Sequence, residues 1–444
     1  MLKTYVLLIG IMLSGTIEAQ QTSYKFDFGF GKVAPGYIQI TPETKFTYER
    51  GYGFDHHSIV ESVIHDSNAL QRDFVTSDKP FYFSVKLPDG NYDINLILGD
   101  TKGISATTVR AENRRLMLEN VRTGKGNVIT APITVHVRDS LIRDMKGNVI
   151  DKIKLKPREQ SYLHWDNLLT IEFNDSLPKV CAIEITPNKA ATTIFLAGNS
   201  TVVDQDREPW AAWGQMFPRF LIPEKVVVAN YAESGETLKA FKNEKRLEKI
   251  WSLAKPGDYL FIEFTHNDQK PGVNHLDAFI TYKETLKEWI NQAKNRKMIP
   301  VLVTSMHRRN FDSTGHIINT LEDYPEAMRQ AAKEENVVLI DLNAMSKTLY
   351  EAWGPEVSFK AFVHYPANTF PNQKEELKDN THFSPYGAYE LAKCVVKSIR
   401  EQNLPLAKYI LKNIPAYDPA KPMKVENFYW PLSSFVSSNK PDGN

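Results

Sequence analysis

Three side chains in the second half of the chain are of the types that carry out acyl transfer. Ser200 has a hydroxyl that could attack a carbonyl carbon once a base has taken its proton. His382 could be that base, and Asp379, three residues earlier, could hold the imidazole in the right tautomer and stabilise its cation. The sequence therefore predicts a Ser-His-Asp triad that forms an acyl-enzyme and then hydrolyses it.

The oxyanion of a tetrahedral intermediate needs hydrogen-bond donors close to the nucleophile. We expect the backbone N–H groups of Ser200 and Gly235 and the side-chain amide of Asn267 to supply them. A glycine suits this role because a backbone without a Cβ can approach the substrate closely. Structural alternatives remain open, since Ser200 could cap a helix and Asn267 could join two loops.

These polar residues belong to a region, from residue 191 onward, in which short apolar runs alternate with helical stretches. Buried strands that alternate with helices indicate a parallel sheet covered on both faces, with its site at the carboxyl ends of the strands. The expected strands are Ile194–Ala197, Val226–Ala229, Tyr259–Phe264, Pro300–Thr304 and Val337–Leu342. The expected helices are Trp210–Leu221, Thr237–Leu253, Leu276–Lys297, Glu322–Glu335 and Tyr386–Arg400. Phe279 is expected on the buried face of the third helix.

Residues 24 to about 187 show the alternation of β-strands instead. Apolar side chains occupy every second position on both sides of the turn signal at 88–91, which predicts a hairpin with one buried face. The same alternation recurs in residues 169–173 and 181–185, around a second turn signal. No long helical period interrupts this half, so we expect a β-sandwich of roughly 160 residues.

The patterns divide the chain into four parts. We expect a secretory signal at 1–19, the β-sandwich at 20–188, the hydrolase domain at 189–414 and an extended tail at 415–444. The first part has Lys3, an apolar run too short for the ~20 residues that span a bilayer, and a small-residue cleavage site before Gln20. The protein should therefore be secreted, to the periplasm or beyond it, and no lipid anchor is expected. Aromatic residues should hold the tail to the surface, and its last ten residues should be disordered.

Composition and charge exclude several classes of protein. The 444 residues include 54 Lys and Arg and 53 Asp and Glu, a balance that argues against a nucleic-acid partner. Two cysteines, Cys181 and Cys394, are too few for a disulfide framework or a four-cysteine zinc site, and we expect buried free thiols. Residues 55–57 (Asp-His-His) could suggest a metal site, but no third ligand at a fixed spacing supports one. We expect no metal, and the chemistry described needs no cofactor.

Four short blocks in the C-terminal half resemble those of the SGNH hydrolase superfamily, also called the GDSL-like esterases. The matching blocks are Gly198–Thr201, Asn230–Gly235, Asn267–Asp268 and Asp379–His382, in the order the family has them. The resemblance implies a doubly wound, flavodoxin-like α/β/α domain with a serine nucleophile. Two positions depart from the family pattern. Asn199 stands where an aspartate is usual, and Thr265-His266 stands where a glycine often precedes the asparagine.

Within that superfamily the chain is similar to the rhamnogalacturonan acetylesterase group, in the two-domain form found in Bacteroidota. The likeness is carried by Gly198–Asp206, Ala232–Phe241, Ser305–Phe311 and Asp379–Ser384. In the first half, residues 27–29, 35–37 and 51–54 resemble the galactose-binding-like β-sandwich attached to such esterases. The resemblance implies removal of acetyl groups from acetylated pectin, a plant polysaccharide. No apolar stretch after the signal is long enough to span a bilayer, so we expect no association with a membrane once the signal is removed.

A basic segment after the fourth expected strand should lie on the rim of the site. It consists of His307, Arg308 and Arg309. Arginine forks bind carboxylates through two hydrogen bonds, and galacturonate carries a carboxylate. A solvated basic loop is the alternative. His266 is expected to contact substrate or to pack beneath it.

Other functions remain open. The same triad could act on a pectin methyl ester, on acetylated xylan or on another acylated glycan. A catalytically inactive carbohydrate-binding protein is the alternative from a different class, and Asn199 and Thr265 are its support. A lipase has less support, because the sequence shows no exposed apolar lid.

Overall fold

The computed structural model describes residues 21–65 and 68–442. The expected signal segment, residues 1–19, lies outside the described residues and stays a prediction. No helix in the described part of the chain is long and apolar enough to cross a membrane. The described chain forms two sheet systems, and the first strand of the second system begins at Thr192, a few residues after the last strand of the first ends at Pro187.

The first half forms a β-sandwich, as the alternation predicts. One sheet has the order β10-β7-β14-β1-β2 and also holds β4 and β5, the facing sheet has the order β3-β6-β13-β8-β9, and β11 and β12 form a small separate hairpin. The strands are β1 Tyr24–Phe28, β2 Ile38–Ile40, β3 Tyr52–Asp55, β4 Glu61–Ile64, β5 Asp73–Thr76, β6 Phe81–Lys86, β7 Gly90–Gly99, β8 Ser105–Ala111, β9 Arg115–Thr123, β10 Val128–Val137, β11 Leu141–Arg143, β12 Val149–Lys152, β13 Leu168–Leu177 and β14 Lys179–Pro187.

The hairpin expected around residues 88–91 is wrong. The flanking strands β6 and β7 lie in different sheets: β6 pairs with β3 and β13, and β7 pairs with β10 and β14. Their apolar faces meet across the sandwich, where the ring of Phe83 in β6 lies 5.1 Å from that of Phe26 in the opposite sheet. The strands β13 and β14 are divided in the same way. Alternation identifies the buried face of a strand but does not identify its partner.

The second half forms the predicted parallel sheet. Its order is β16-β15-β17-β18-β19, and every neighbouring pair is parallel. This is the flavodoxin-like order, in which sites lie at the carboxyl ends of the strands. An apolar cluster packs on each face of the sheet. The strands are β15 Thr192–Gly198, β16 Val226–Asn230, β17 Tyr259–Glu263, β18 Ile299–Val303 and β19 Val338–Ile340.

Several helices differ from their expected bounds. The first is only one turn long before a 3₁₀ segment, Phe217–Phe220, that contains Pro218. The second divides into two at Lys245, whose φ is 64°. The helices are α1 Trp213–Met216, α2 Leu238–Asn243, α3 Arg246–Leu253, α4 Lys283–Asn295, α5 Tyr324–Glu334, α6 Leu342–Ala361 and α7 Pro385–Glu401.

Two further differences have local causes. A π-helical turn, Ala278–Tyr282, precedes α4 and changes the phase of the helix. Phe279 is therefore 41% exposed rather than buried, so that expectation is wrong. The long helix α6 was not expected, because Gly354, with a φ of 68°, and Pro355 interrupt its pattern.

The segment that precedes α7 forms a small antiparallel hairpin, made of β20 Phe362–Tyr365 and β21 Leu377–Phe383. Beyond α7, the tail turns back over both halves of the molecule. The guanidinium of Arg110 in the sandwich stacks on Trp430 at 3.9 Å, and Trp430 Nε1 donates to Glu208 Oε1 at 2.9 Å. Phe435 packs on Tyr82 with 5.2 Å between ring centroids. The expected disorder of the last ten residues is wrong for 435–442, which the structure holds against the protein.

Candidate active site

The three residues expected to form a triad meet in one hydrogen-bonded chain. His382 Nε2 lies 2.8 Å from Ser200 Oγ, and His382 Nδ1 lies 2.8 Å from Asp379 Oδ2. Ser200 follows β15 at the carboxyl edge of the parallel sheet, while Asp379 and His382 lie on β21 of the hairpin. The geometry is that of a nucleophile, a base and an orienting carboxylate.

Asp379 is held as a carboxylate. Burial by itself would raise its pKa, but the hydrogen bond from His382, the nearby imidazole and two backbone N–H groups together lower the pKa of Asp379 to about 2. Those N–H groups belong to Thr381, at 2.7 Å, and to His382, at 3.0 Å, and both donate to Oδ1. Oδ2 is thus left to orient the imidazole, and Asp379 both shapes its own turn and faces the base.

The loop that carries the nucleophile is fixed by its neighbours. Asn199 Oδ1 accepts from the backbone N–H of Thr201 at 3.1 Å and lies 2.8 Å from its hydroxyl oxygen. Gln205 Nε2 donates to the carbonyl of Ser200 at 2.8 Å. The asparagine that replaces the family's usual aspartate therefore still supplies an acceptor to this turn.

Two arginines of the sandwich support the same loop, which sequence reasoning missed. Arg115 donates to Asp204 Oδ2 from Nε at 3.0 Å and from Nη2 at 2.8 Å. Arg114 pairs with Glu208 at 2.6 Å and donates to the carbonyl of Trp210 at 3.0 Å. All four charged side chains are almost fully buried. Breaking such a pair from one side costs about 3–5 kcal/mol, so the sandwich is part of the framework of the site.

A buried acid lies beneath the nucleophile loop. Glu263, the last residue of β17, accepts from Thr201 Oγ1 at 3.1 Å, Trp213 Nε1 at 3.2 Å and Ser305 Oγ at 2.5 Å. Burial raises the pKa of Glu263 to about 7, although these three donors work against the shift. An acidic residue inside an otherwise apolar strand was the signal in the sequence that could have identified it.

We expect Glu263→Gln to flatten the dependence of stability on pH. A carboxyl whose pKa rises from 4.5 to about 7 on folding stabilises the protein fully below pH 4.5 and loses that contribution as pH rises through 7. Between pH 4 and pH 8 the variant should gain about 3 kcal/mol relative to wild type. Thermal unfolding across this range measures it, with the exposed Glu284→Gln as control. Parallel wild-type and Glu263→Gln curves would contradict the expectation.

The expected oxyanion donors differ in how many other hydrogen bonds they already make. Gly235 has a φ of 81°, which glycine adopts without strain. Asn267 Nδ2 donates to the carbonyl of Glu236 at 3.0 Å, and its Oδ1 accepts from Lys270 at 3.1 Å. The amide carries a second hydrogen, so joining the two loops leaves one donor for an oxyanion. In the described residues, the backbone N–H groups of Ser200 and Gly235 donate to no backbone or side-chain acceptor.

Two more aromatic side chains lie near His382. The indole of Trp210 meets the ring of His382 edge-on at 5.9 Å, a contact that the sequence did not indicate. His266 is buried, and its Nε2 lies 3.1 Å from the carbonyl of Met306. Burial, together with the nearby positive charge of Arg308, lowers the pKa of His266 well below its usual value. His266 is therefore a buried, neutral imidazole, and its expected role toward substrate stays a prediction.

The basic rim segment has protein partners. Arg308 donates to the carbonyl of Thr320 at 3.1 Å and to that of His266 at 3.3 Å. Arg309 donates to Ser358 Oγ at 2.9 Å, and its guanidinium stacks on Phe359 at 3.4 Å. His307 is buried, and the resulting loss of hydration is the main reason that its pKa is lowered to about 4. These contacts position the segment, and its role toward substrate stays a prediction.

The other polar groups singled out in the sequence have structural surroundings. His56 packs edge-on against Tyr82 at 5.5 Å and Phe435 at 5.3 Å. Cys181 and Cys394 are buried free thiols, as expected. Among the residues 21–65 and 68–442, no three His, Cys, Asp or Glu side chains converge in a way that could hold a metal ion.

A parallel sheet that bears a hydrogen-bonded Ser, His and Asp at its carboxyl end is an arrangement of ester hydrolases, and comparison with known families agrees. Residues 196–388 match the model of the GDSL-like lipase/acylhydrolase family. Residues 24–147 match the beta-agarase/YxiM esterase-like, galactose-binding domain-like family. The chain belongs to the GDSL-like family and is an ester-bond hydrolase with an N-terminal galactose-binding-like domain.

Individual proteins resemble this chain over one or both of its halves. The rhamnogalacturonan acetylesterase RhgT of Bacillus subtilis is 44% identical over 225 residues, which is 50% of this chain and 96% of RhgT. The uncharacterised esterase YxiM of the same organism is 26% identical over 395 residues, 87% of this chain and 93% of YxiM. The crystal structure of YxiM overlaps 86% of this chain and 99% of its own, with a TM-score of 0.45 and 25% identity.

Proposed function

We propose that this protein is a secreted serine carbohydrate esterase that removes O-acetyl groups from acetylated pectin, most specifically from rhamnogalacturonan. The observation that carries the proposal is the hydrogen-bonded chain from Ser200 Oγ through His382 to Asp379, with 2.8 Å at each step. The substrate class is supported by the relatives that are named rhamnogalacturonan acetylesterases, at 44% and 37% identity.

The geometry supports a two-step mechanism. Ser200 Oγ attacks the acetyl carbonyl while its proton passes to His382 Nε2, and Asp379 stabilises the imidazolium through Nδ1. The N–H groups of Ser200 and Gly235 and the Asn267 amide bind the oxyanion. The intermediate collapses as His382 protonates the departing sugar hydroxyl, which leaves an acetyl ester on Ser200. His382 then takes a proton from water, and the resulting attack releases acetate and free Ser200.

Acetate release from acetylated rhamnogalacturonan tests the function directly. We expect wild-type protein to release acetate from this polymer faster than from acetylated xylan, and to release no methanol from methyl-esterified pectin. Acetate release from acetylated xylan alone would show that the substrate is another glycan and not rhamnogalacturonan. Sugar binding without turnover of any ester, including an aryl acetate, would show a carbohydrate-binding protein instead.

Secretion is the second part of the proposal, and the N-terminal sequence is its support. A positive residue, a short apolar run and a small-residue site before Gln20 are the features of a cleaved signal. Expression in a bacterial host with an intact export system, followed by mass spectrometry, should give a mature chain that starts near Gln20. Full-length protein confined to the cytoplasm would contradict it.

Asn267→Ala tests the oxyanion role. Removing one oxyanion donor lowers kcat about 10²- to 10³-fold, with a much smaller change in KM, because the bond forms fully only in the transition state. Asn267 also joins two loops, so thermal unfolding should be measured with the kinetics. Asn295→Ala, at the exposed end of α4, is the matched control. A kcat within threefold of wild type would leave Asn267 with the loop-joining role alone.

A further inference from the structure

A cavity of about 200 Å³ lies next to residues that contact the triad, and three distant parts of the chain line it. The hydrolase domain contributes Gln205, which holds the carbonyl of Ser200, and Trp210, which packs on His382. The remaining lining comes from the sandwich and the tail, and includes Arg158, Tyr162, Lys440 and Asp442. The cavity therefore adjoins the triad but is not built by the hydrolase domain alone.

Arg158 enters this cavity from the 3₁₀ turn Pro157–Ser161 of the sandwich half. Its Nη2 donates to Glu233 Oε1 and to the carbonyl of Ser234, both at 2.8 Å. Its Nη1 donates to the carboxylate of Asp442 in the tail. One guanidinium thus holds two carboxylates, one on each of its edges.

The two carboxylates differ in accessibility. The Glu233 side chain is 1% exposed, whereas that of Asp442 is 63% exposed. A buried partner orients the guanidinium permanently, while an exposed ion pair is weak, typically worth no more than about 1 kcal/mol. The edge of Arg158 that faces the cavity is therefore held by a carboxylate that can be displaced.

Asp442 also occupies a position that substrate must approach. A Cβ built on Gly235, the expected oxyanion residue, would lie 3.2 Å from Asp442 Cβ. Nearby, Lys440 Nζ lies 3.5 Å from Asp379 Oδ2, a further contact of the tail with the triad. The tail therefore lies directly over the candidate active site.

The attachment of the tail changes along its length. Ser437 is tied by its backbone: its carbonyl accepts from Trp210 Nε1 at 3.2 Å and its N–H donates to the carbonyl of Glu208 at 2.9 Å. Within the described chain, residues 438–442 form no backbone–backbone hydrogen bond with other segments: the N–H of Asn439 donates to Ser437 Oγ at 3.1 Å, and side chains such as Asp442 make the other contacts. Displacing this short segment would leave the anchor at Ser437 in place.

We propose that Arg158 binds the carboxylate of an acidic sugar unit of the substrate, and that Asp442 occupies this position until substrate displaces it. The substrate class rests on the proposed function, since the galacturonate units of pectin carry one carboxylate each. The exchange replaces one carboxylate by another on the same guanidinium fork, so no charge is left unpaired in the cavity. The N-terminal half would then supply part of the substrate specificity.

Calorimetric titration of trigalacturonate into protein that carries Ser200→Ala tests the proposal without depending on turnover. Adding Arg158→Gln should weaken binding at least tenfold. Arg158→Lys keeps the charge but loses the fork, so its affinity should lie between those of the Ser200→Ala parent and the Arg158→Gln variant. Adding Asp442→Asn should tighten binding about three- to tenfold, because the internal competitor is weakened. Galactotriose, which carries no carboxylate, should bind more weakly than trigalacturonate to the parent, and its affinity should not differ between the parent and these variants.

The matched control is Arg296→Gln, at the exposed end of α4, which should bind trigalacturonate as its parent does. Arg158→Gln could disturb folding through Glu233, so thermal unfolding accompanies it, and the exposed Asp442→Asn provides an independent arm. No binding of trigalacturonate, or equal affinity in parent and Arg158→Gln, would overturn the proposal. Unchanged or weaker affinity in Asp442→Asn would overturn the competing role of the tail. If either part of the proposal were overturned and the wild-type protein still released acetate from the polymer, the proposed function would stand.

Discussion

Ser200→Ala should lower kcat for ester hydrolysis by about 10⁵- to 10⁶-fold, because it removes the nucleophile on which both chemical steps depend. The hydroxyl lies 2.8 Å from His382 Nε2, and no other hydroxyl of the described chain hydrogen-bonds to this ring nitrogen. KM should change far less, since the oxyanion donors and the cavity remain. Hydrolysis of an aryl acetate and acetate release from the polymer both measure the loss.

The matched control is Ser252→Ala, whose hydroxyl donates to the carbonyl of Lys249 in α3, away from the triad. This variant should keep wild-type kcat. Both variants should unfold at nearly the wild-type temperature, because each removes a single oxygen atom. A Ser200→Ala protein with more than a few per cent of wild-type kcat would sink the acyl-enzyme mechanism.

Asp379→Asn is expected to lower kcat about 10⁴-fold while the fold is retained. The amide oxygen of asparagine can replace Oδ1 as the acceptor for the N–H groups of Thr381 and His382. The amide nitrogen would then face His382 Nδ1 as a donor, which favours the tautomer with its proton on Nε2. That tautomer cannot accept the proton of Ser200.

Asp379→Ala provides the contrast that separates orientation of the base from support of the turn. It loses the acceptor for both backbone N–H groups as well as the partner of the imidazole, so it should lower both kcat and the unfolding temperature. Asp379→Asn should lower kcat alone. If Asp379→Asn retained kcat within tenfold of wild type, Asp379 would be a structural carboxylate and another group would orient His382.

The candidate triad residues and the positions of the parallel strands along the chain could be predicted because each depends on local patterns. Ser200, Asn267 and the Asp379–His382 pair each lie next to a strand or a helix, at the edge where a parallel sheet exposes its loops. The apolar runs identified every strand of this sheet to within about two residues. Alternation likewise identified which side chains of the sandwich are buried.

The predicted helix boundaries were wrong where the local backbone conformation departs from the apolar pattern. The helix expected over 237–253 divides because Lys245 takes a left-handed conformation, and Phe279 is exposed because a π-helical turn changes the phase of α4. The apolar period by itself contains no signal for either event. The helix α6 was overlooked because it is kinked: Gly354, with a φ of 68° and a ψ of 176°, is non-helical, and the apolar pattern is interrupted there.

By itself, the amino-acid sequence determined the two-part organisation, the buried faces and the chemical types of the candidate catalytic residues. Tertiary structure alone decided which strands pair, as β6 and β7 show by lying in different sheets. It also brought Arg115 and Arg158 of the first half, and Asp442 of the tail, to the nucleophile loop and its cavity. The physical reason is that a hydrophobic period records only burial. An ion pair between charged side chains that lie 89 or 284 residues apart in the chain leaves no period, so only the packed fold shows which charges meet.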